Sequence, residues 1–446
     1  MAKTTLDSLL KQIEDLIRRL TRKDPESEHE IKSAGPMLMF VRPEGGGLFF
    51  SRAETRRFDA CAAQIVKFEK ERNTSASLSI REAENWLRDA VFSAIGPVQV
   101  APSAPINERL SSAIERLRTQ LESTPDAYVG RAQVQRLLLP SANWTFGLVT
   151  FHSPDAVVDR EWAKKLQSFD PEPGRFSEVE VEQENDHRKR TSQALLDGFA
   201  GHPTATTTVS ALGPEAAKVL VLEQIRRTVD VVNFFGGMLP PGGPFLRRAL
   251  VSPDSAYQLL PWMISSSDVQ SYEPSATTLD KPVVLAPMDA PEAQKLGMGR
   301  ASELMTVPLP SPLAQRTINA MSWAGRASAE ARKDQSFLLF AIALEALFSK
   351  PGARGGTTDR LALRCAHVLG QSQADKVQIA KLVKLLYRMR SDLVHNGDST
   401  QIAPQNLNLL RALVSKAIVT VLTQEPFVSH NSESEFETWI DHKQLQ

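Results

Sequence analysis

Arg390 and His395 are the two residues of this sequence best suited to chemistry, and they stand five positions apart near the end of a predicted helix. Arginine offers a fixed, permanently charged fork that matches the oxygens of a phosphate group. Histidine titrates near neutral pH and can move protons. If both faced one phosphodiester, His395 would act on the ribose 2′-hydroxyl or the leaving oxygen, and Arg390 would stabilise charge in the transition state. This chemistry cleaves RNA without a metal ion and leaves 2′,3′-cyclic phosphate and 5′-hydroxyl ends.

The helix that carries both residues is predicted over 374–395. Asn396 and Gly397 end it, and Gly397 suits the left-handed position that follows a helix. On an ideal helix, side chains five residues apart point ~140° apart. Arg390 and His395 therefore face one phosphate only if the helix loosens at its end or if a second chain contributes. We expect a homodimer. The predicted core stripe of this helix is Leu382, Leu386, Met389 and Leu393.

Two acidic residues are expected to support the pair. Glu345 lies on an almost wholly apolar helix predicted over 336–348, where an unpaired carboxylate would be costly, so we expect Arg390 or Arg388 as its partner. Asp392 precedes His395 by three residues and either orients it or faces solvent. Asp392 is also an alternative ion-pair partner for Arg390.

The remaining supporting residues each have a structural alternative. Tyr387 borders the cleft or packs at the edge of the bundle, and Arg388 contacts RNA or is a surface charge. Ser391 and Asn396 are polar neighbours of the two candidate catalytic residues. His395 itself, just before a helix-ending Asn-Gly pair, has a simple capping role as its alternative.

These residues carry a resemblance to a known family. The segment Arg390-Ser391-Asp392-Leu393-Val394-His395 resembles the Arg-x4-6-His motif of the HEPN superfamily (higher-eukaryote and prokaryote nucleotide-binding domains), with polar Ser391 after the arginine. The run FLLFAIALEALF at 337–348 is similar to the second-helix signature of the Apea-like branch, as is LYRMR at 386–390 running into VHNG at 394–397. The resemblance covers about 311–422, a quarter of the chain.

The resemblance implies a fold and an activity. HEPN domains are bundles of four to five helices that usually form homodimers, in which the motif helices of both subunits build one composite RNA-cleaving cleft. Members act as toxins, abortive-infection effectors and other antiviral nucleases. We therefore expect an endoribonuclease of antiviral defence with RNA as substrate and without a cofactor. Other members lack the motif, and the alternative is a non-catalytic module that dimerises or binds a nucleotide.

The length of 446 residues predicts more than one domain, at roughly 150 residues each. We expect a mainly α protein with a mixed α+β N-terminal part and a C-terminal antiparallel HEPN bundle. The three predicted regions are an α+β region at 1–100, a mixed α+β recognition or regulatory domain at 106–300 and the bundle at 311–446. By the resemblance, the first 300 residues would restrain the nuclease, sense a phage-derived trigger or regulatory partner, or select the RNA.

Hydrophobic periodicity and turn residues predict the individual elements. Predicted helices span 5–23, 55–72, 80–95, 106–121, 216–235, 313–331, 336–348, 359–369, 374–395 and 404–422. Predicted strands span 37–41 and 48–50, joined as a hairpin, and 134–139, 146–151 and 282–287, while 170–190 is predicted to be an exposed loop.

Composition limits the partners and the compartment. The 52 basic and 52 acidic residues cancel, so any contact with RNA should be local. Cys61 and Cys365 are far apart, which argues against a disulfide framework and favours the cytoplasm. The histidines and cysteines show no metal-ligand spacing. No run of 18 apolar residues occurs, so we expect no membrane span.

Overall fold

The protein is described here by a computed structural model. The residues that it describes are 5–21, 38–41, 47–50, 52–72, 78, 80–95, 105–135, 137–155, 160, 181–182, 185–186, 189–190, 193, 202–212, 214–238, 250–251, 283–284, 288–307, 310–349, 357–429 and 433–444. Contacts divide the chain into two compact units, one of residues 1–130 with 208–222 and one of 131–207 with 223–446.

The first unit is built mainly of helices around one hydrophobic core. Its elements are α1 (Leu6–Thr21), β1 (Leu38–Val41), β2 (Gly47–Phe50), α2 (Arg52–Arg72), α3 (Ile80–Ile95) and α4 (Ile106–Glu122). Apolar residues spaced three or four apart form one buried face on each helix, as Leu9, Ile13 and Ile17 do on α1. The strands β1 and β2 form the predicted antiparallel hairpin, whose turn at 42–46 lies outside the described residues.

The boundary of this unit differs from the predicted regions. Helix α4 was expected to begin a second domain at residue 106, yet its buried residues Leu110, Ala113, Leu117 and Leu121 belong to the same core as α1, α2 and α3. The reason is that α4 is amphipathic, so its apolar stripe must be covered, and α1 and α3 cover it.

The second unit contains a small sheet. The remaining strands are β3 (Asp126–Gln135), β4 (Leu137–Leu138), β5 (Asn143–Phe146), β6 (Val149–His152), β7 (Thr204–Ala211), β8 (Leu250–Val251) and β9 (Val283–Val284). Five of them follow the order β5-β6-β7-β3-β8, and β5, β6 and β7 pair antiparallel. The predicted strand at 282–287 is present at β9, which pairs parallel with β4. One face of β5 and β6 buries Trp144, Phe146, Val149 and Phe151.

Two predictions for this unit are wrong. The single strand expected at 146–151 is two strands, because Gly147 adopts a φ of 59° and turns the chain between β5 and β6. The exposed loop expected at 170–190 is helical at its described positions 181–182, 185–186 and 189–190. Its Glu, Lys and Arg residues are strong helix formers as well as charged.

The C-terminal part of the second unit is a helical bundle. Its helices, with those that precede it, are α5 (Pro214–Gly236), α6 (Pro291–Lys295), α7 (Met298–Thr306), α8 (Pro312–Ala329), α9 (Lys333–Phe348), α10 (Thr357–Leu369), α11 (Gln373–Asn396), α12 (Pro404–Thr423) and α13 (Glu433–Gln444). Helices α8 and α9 pack together, as do α10 and α11, and α12 contacts α8, α9 and α10. The mainly helical fold with a small sheet in the N-terminal half is therefore confirmed.

Helix α12 is long and apolar enough to cross a membrane by length and composition, the one such helix within the described ranges. Its buried residues include Leu410, Val414, Ala417, Ile418 and Val421. These residues face the other helices of the bundle, so the core accounts for the apolar composition of α12.

Candidate functional site

Helix α11 carries the Arg-x4-His segment and is regular along its whole length. It begins with a capping box, in which Ser372 and Asp375 bond each other's backbone N–H groups. It ends at Asn396, and Gly397 follows with a φ of 68° and donates its N–H to the carbonyl of Leu393 at 3.1 Å. The helix end therefore does not loosen, which was one of the two routes that would let Arg390 and His395 face one phosphate. The other route is the contribution of a second chain.

The buried face of α11 differs slightly from the predicted stripe. Leu386 and Met389 are buried as expected, whereas Leu382 and Leu393 are only half-buried. Val383 and Tyr387 are buried instead. The cause is that the face centres on Tyr387, whose hydroxyl reaches the carbonyl of Ala341 on α9 at 3.5 Å.

Glu345 on α9 is the ion-pair partner of Arg390, one of the two arginines expected. The Nη2 of Arg390 lies 3.3 Å from Oε1 of Glu345. Both side chains are partly buried, with exposed fractions of 26% and 28%. The pair links α9 to α11 and fixes the direction of the guanidinium.

Tyr387 joins this pair from one turn earlier on α11. Burial raises the pKa of the Tyr387 hydroxyl above its ordinary value, and a hydrogen bond to Glu345 with the negative charge of that carboxylate raises it further. The positive charge of Arg390 opposes the shift. The phenol therefore stays protonated and neutral, and Tyr387, Glu345 and Arg390 form one polar cluster between two helices.

The guanidinium of Arg390 is not fully satisfied by Glu345. Its Nε is buried and has no hydrogen-bond partner among the residues that the structure describes. A buried N–H without a partner costs free energy, so a ligand or a small rearrangement that satisfies this donor would be favourable.

His395 lies on a different side of α11. The residue is exposed, as are Arg388 and Asn396, while Ser391 and Asp392 are half-buried. Since α11 is regular, His395 points ~140° away from Arg390. One chain thus brings Arg390 together with Glu345 and Tyr387, and it leaves His395 facing solvent.

The link between Tyr387 and Glu345 is the feature of the site that sequence reasoning missed. Tyr387 precedes Arg390 by three residues, so both lie on neighbouring positions of one helix face. That spacing indicates that a residue in contact with Arg390 can also contact Tyr387. The contact with α9, however, depends on how the two helices pack.

One cavity of the bundle is separate from this cluster. Its volume is about 390 Å³, and it lies between α7, α8, the end of α12 and the turn after it. Leu304, Leu313 and Phe427 line it, and Arg300 and Glu303 form an ion pair at 3.2 Å beside it. Within the described ranges, no group of three or more His, Cys, Asp and Glu side chains is arranged to hold a metal ion.

The chain was compared with protein-family models, with curated proteins and with solved structures. None of these comparisons gave a match.

Proposed function

We propose that the chain is a metal-independent endoribonuclease of the HEPN type that acts in antiviral or abortive-infection defence and cuts RNA at a cleft shared by two subunits. The observation that carries this proposal is the arrangement on α11. A guanidinium is held by Glu345 with one donor unsatisfied, and an exposed imidazole stands at the end of the same helix.

The reaction needs one base, one acid and one cation. The imidazole of His395 takes the proton of a ribose 2′-hydroxyl, and the freed oxygen attacks the adjacent phosphorus. The bond from phosphorus to the 5′-oxygen breaks, and that oxygen leaves with the proton that His395 took, so the protonated imidazole serves as the acid. Arg390 stabilises the negative charge that builds on the phosphate oxygens. The products are a 2′,3′-cyclic phosphate and a 5′-hydroxyl end.

Two subunits are part of the proposal because one regular helix directs Arg390 and His395 away from each other. An exposed apolar side chain beside the motif supports an association through this region. Val394 on α11 lies one helical turn after Arg390 and has an exposed fraction of 46%. Burial of Val394 between two copies would bring one subunit's His395 towards the other subunit's Arg390.

Supporting roles follow from position. Asp392 stands three residues before His395 and would orient its ring, and Ser391 and Asn396 are polar neighbours of the two catalytic residues. Arg388 is exposed and would contact a phosphate next to the one that is cut. Glu345 and Tyr387 would hold Arg390 in position.

Incubation of the purified chain with RNA tests the proposal. The wild type should release fragments with 2′,3′-cyclic phosphate ends, and His395→Ala should lower the cleavage rate by at least about a hundredfold. His202→Ala is the matched control, since His202 is also exposed, and it should cleave as the wild type does. Equal cleavage by wild type and His395→Ala, or the absence of any cleavage, would contradict the proposal.

A second candidate function is supported by the ion pair itself. Glu345 already neutralises the guanidinium of Arg390, as it would in a module whose bundle only dimerises or binds a nucleotide. In that case the chain forms dimers and leaves RNA intact, and wild type and His395→Ala are equally well tolerated when expressed in cells. The nuclease predicts toxicity of the wild type that His395→Ala removes.

A further inference from the structure

The exposed face of α11 carries a row of positive side chains that leads to His395. Lys381, Lys384 and Arg388 are all exposed, as His395 is. Arg388 precedes His395 by seven residues and Lys384 precedes it by eleven, which is close to two and three whole turns of a regular helix. Lys381 in turn precedes Arg388 by seven residues. The four side chains therefore lie along one side of α11, and we call Lys381, Lys384 and Arg388 the cation row.

Two members of the cation row have no acidic partner. In the part of the chain that the structure describes, neither Lys381 nor Arg388 forms an ion pair with a carboxylate. Lys384 lies 2.6 Å from Asp359 of α10, and their side chains are 51% and 74% exposed. An ion pair this exposed contributes little, so a phosphate can replace the carboxylate. Asp392, one turn after Arg388, is half-buried.

The part of the bundle that carries the cation row is basic, although the whole chain is neutral. Helix α11 contains five Lys and Arg residues and two Asp, and α12 contains two Lys and Arg residues and no acidic residue. The chain as a whole has 52 residues of each charge. Positive charge is therefore concentrated in these helices, where it raises the local concentration of a polyanion.

The dimensions of the cation row fit an extended polyanion. At about 1.5 Å per residue, Lys381 and Arg388 are about 10 Å apart along α11, and Arg388 and His395 are separated by the same distance. Lysine and arginine side chains are long, so each can meet a different phosphate of a strand that lies along the helix. Inorganic phosphate would contact only one or two of these cations. The row therefore favours a chain of phosphates as its ligand.

We propose that the cation row binds the sugar–phosphate backbone of a single RNA strand and guides it to His395 of the same subunit. This inference rests on the proposed nuclease, because it takes RNA as the ligand and adds the course of the strand outside the cleft. The subunit that supplies His395 then also holds the strand on one side of the cut, while the other subunit supplies Arg390. A single strand is flexible enough for its 2′-hydroxyl to reach the in-line position that the cut needs. Contacts to phosphates carry no sequence preference of their own.

Equilibrium binding of a fluorescent RNA dodecanucleotide to the full chain tests the cation row, with His395→Ala as background so that no RNA is cut. In this background, Lys381→Gln with Arg388→Gln removes two positive charges. The double variant should weaken binding by about tenfold and lower the salt slope of binding by about 1.4. Lys381→Arg with Arg388→Lys keeps both charges and should bind as the background does, which separates loss of charge from loss of the fold.

The matched control is Lys11→Gln with Lys295→Gln, which removes two exposed positive charges from α1 and α6 and should leave binding unchanged. The proposal is overturned if this control and Lys381→Gln with Arg388→Gln bind the strand equally, or if the background does not bind it. It is also overturned if phosphatidylglycerol vesicles bind and the strand does not, because the row would then be a surface for anionic lipid.

Failure of the cation row and failure of the nuclease give different results. If the wild type cuts no RNA while Lys381→Gln with Arg388→Gln weakens binding, the row stands as an RNA-binding surface and the nuclease does not. If the wild type cuts RNA while that double variant binds the strand as tightly as the control does, the nuclease stands without the row.

Discussion

At the scale of single residues, the pairing of Glu345 with Arg390 decides which substitution tests catalysis without also changing stability. Removal of Arg390 leaves a partly buried carboxylate without its partner, which destabilises the protein as well as removing the proposed phosphate contact. His395 is exposed, and its removal should leave the fold intact. A loss of activity in His395→Ala therefore reports on chemistry, whereas the same loss in Arg390→Ala mixes chemistry with stability.

Tyr387 gives a prediction about stability at alkaline pH. Its folded-state pKa is raised, so folding favours the protonated phenol, and this contribution is present below about pH 10 and lost as pH rises further. Above about pH 10 the unfolding free energy of the wild type should fall relative to that of Tyr387→Phe, by up to about 1.4 kcal/mol per pH unit. At neutral pH the variant should be less stable by about 1 kcal/mol, because a hydrogen bond is lost.

Urea denaturation of both proteins at several pH values from 8 to about 11 measures this difference. Parallel stability curves for wild type and Tyr387→Phe would show that the Tyr387 phenol ionises equally easily in the folded and unfolded chain. That result would mean that Glu345 does not affect the ionisation of Tyr387, and Tyr387 would not belong to the polar cluster.

At the scale of elements, amphipathic helices were predictable and the strand β7 was not. Ile80–Ile95 has its expected bounds, α11 extends one residue further at each end and α12 one residue further at its C-terminal end, because a periodic apolar stripe marks a helix locally. The β7 sequence TATTTVSA has little contrast between its two faces. The hydrogen bond between His152 and Thr206 forms only once β6 pairs with β7, so it could not be predicted from the sequence around His152 alone.

In the candidate site, as in the fold, what depends on local sequence was predictable and what depends on packing was not. The ion pair of Glu345 followed from the local cost of a carboxylate on an apolar helix. The inclusion of Tyr387 in the cluster and the continuity of α11 through Asn396 depend on packing and on the helix end. Periodicity does not encode either of these.

The close approach of α5 and α8 at Gly325 gives a prediction of its own. A Cβ at Gly325 would lie 1.7 Å from the carbonyl oxygen of Asp230, so the two helices must separate to accept alanine. That separation also strains the hydrogen bonds from Arg326 and Ser322 to the Asp230 carboxylate, at 2.6 and 2.9 Å. Gly325→Ala should lower the free energy of unfolding by about 3 kcal/mol.

Thermal or urea unfolding measures the effect, with Gly299→Ala as control. Gly299 also lies in a helix, but a Cβ there meets no atom within 4 Å, so the substitution should be neutral or slightly stabilising. Equal stability of the two variants would mean that α5 and α8 do not approach at Gly325 as described.

At the scale of the whole molecule, the zero net charge and the geometry of α11 set two conditions for the proposed nuclease. Its RNA contacts must be local, and its catalytic residues must come from two subunits. A chain with 52 residues of each charge has no overall basic excess, so the proposed contacts with RNA would be concentrated at a few places. The cation row and the end of α11 are the places that we propose. In the proposed dimer the shared cleft holds two catalytic pairs, each with Arg390 from one subunit and His395 from the other, which makes the assembly itself a requirement for activity.

Mixing two inactive variants tests that requirement. Arg390→Ala and His395→Ala chains each lack one member of every catalytic pair, so each alone should be inactive. In a mixed dimer, one pair consists of the intact His395 of the first chain and the intact Arg390 of the second, while the other pair lacks both residues. Random exchange should therefore restore roughly a quarter of the wild-type cleavage rate, since half of the dimers are mixed and half of their catalytic pairs are complete. If both residues acted from the same chain, no mixture of these variants would recover activity, and the composite cleft would have to be abandoned even if the chain cleaves RNA.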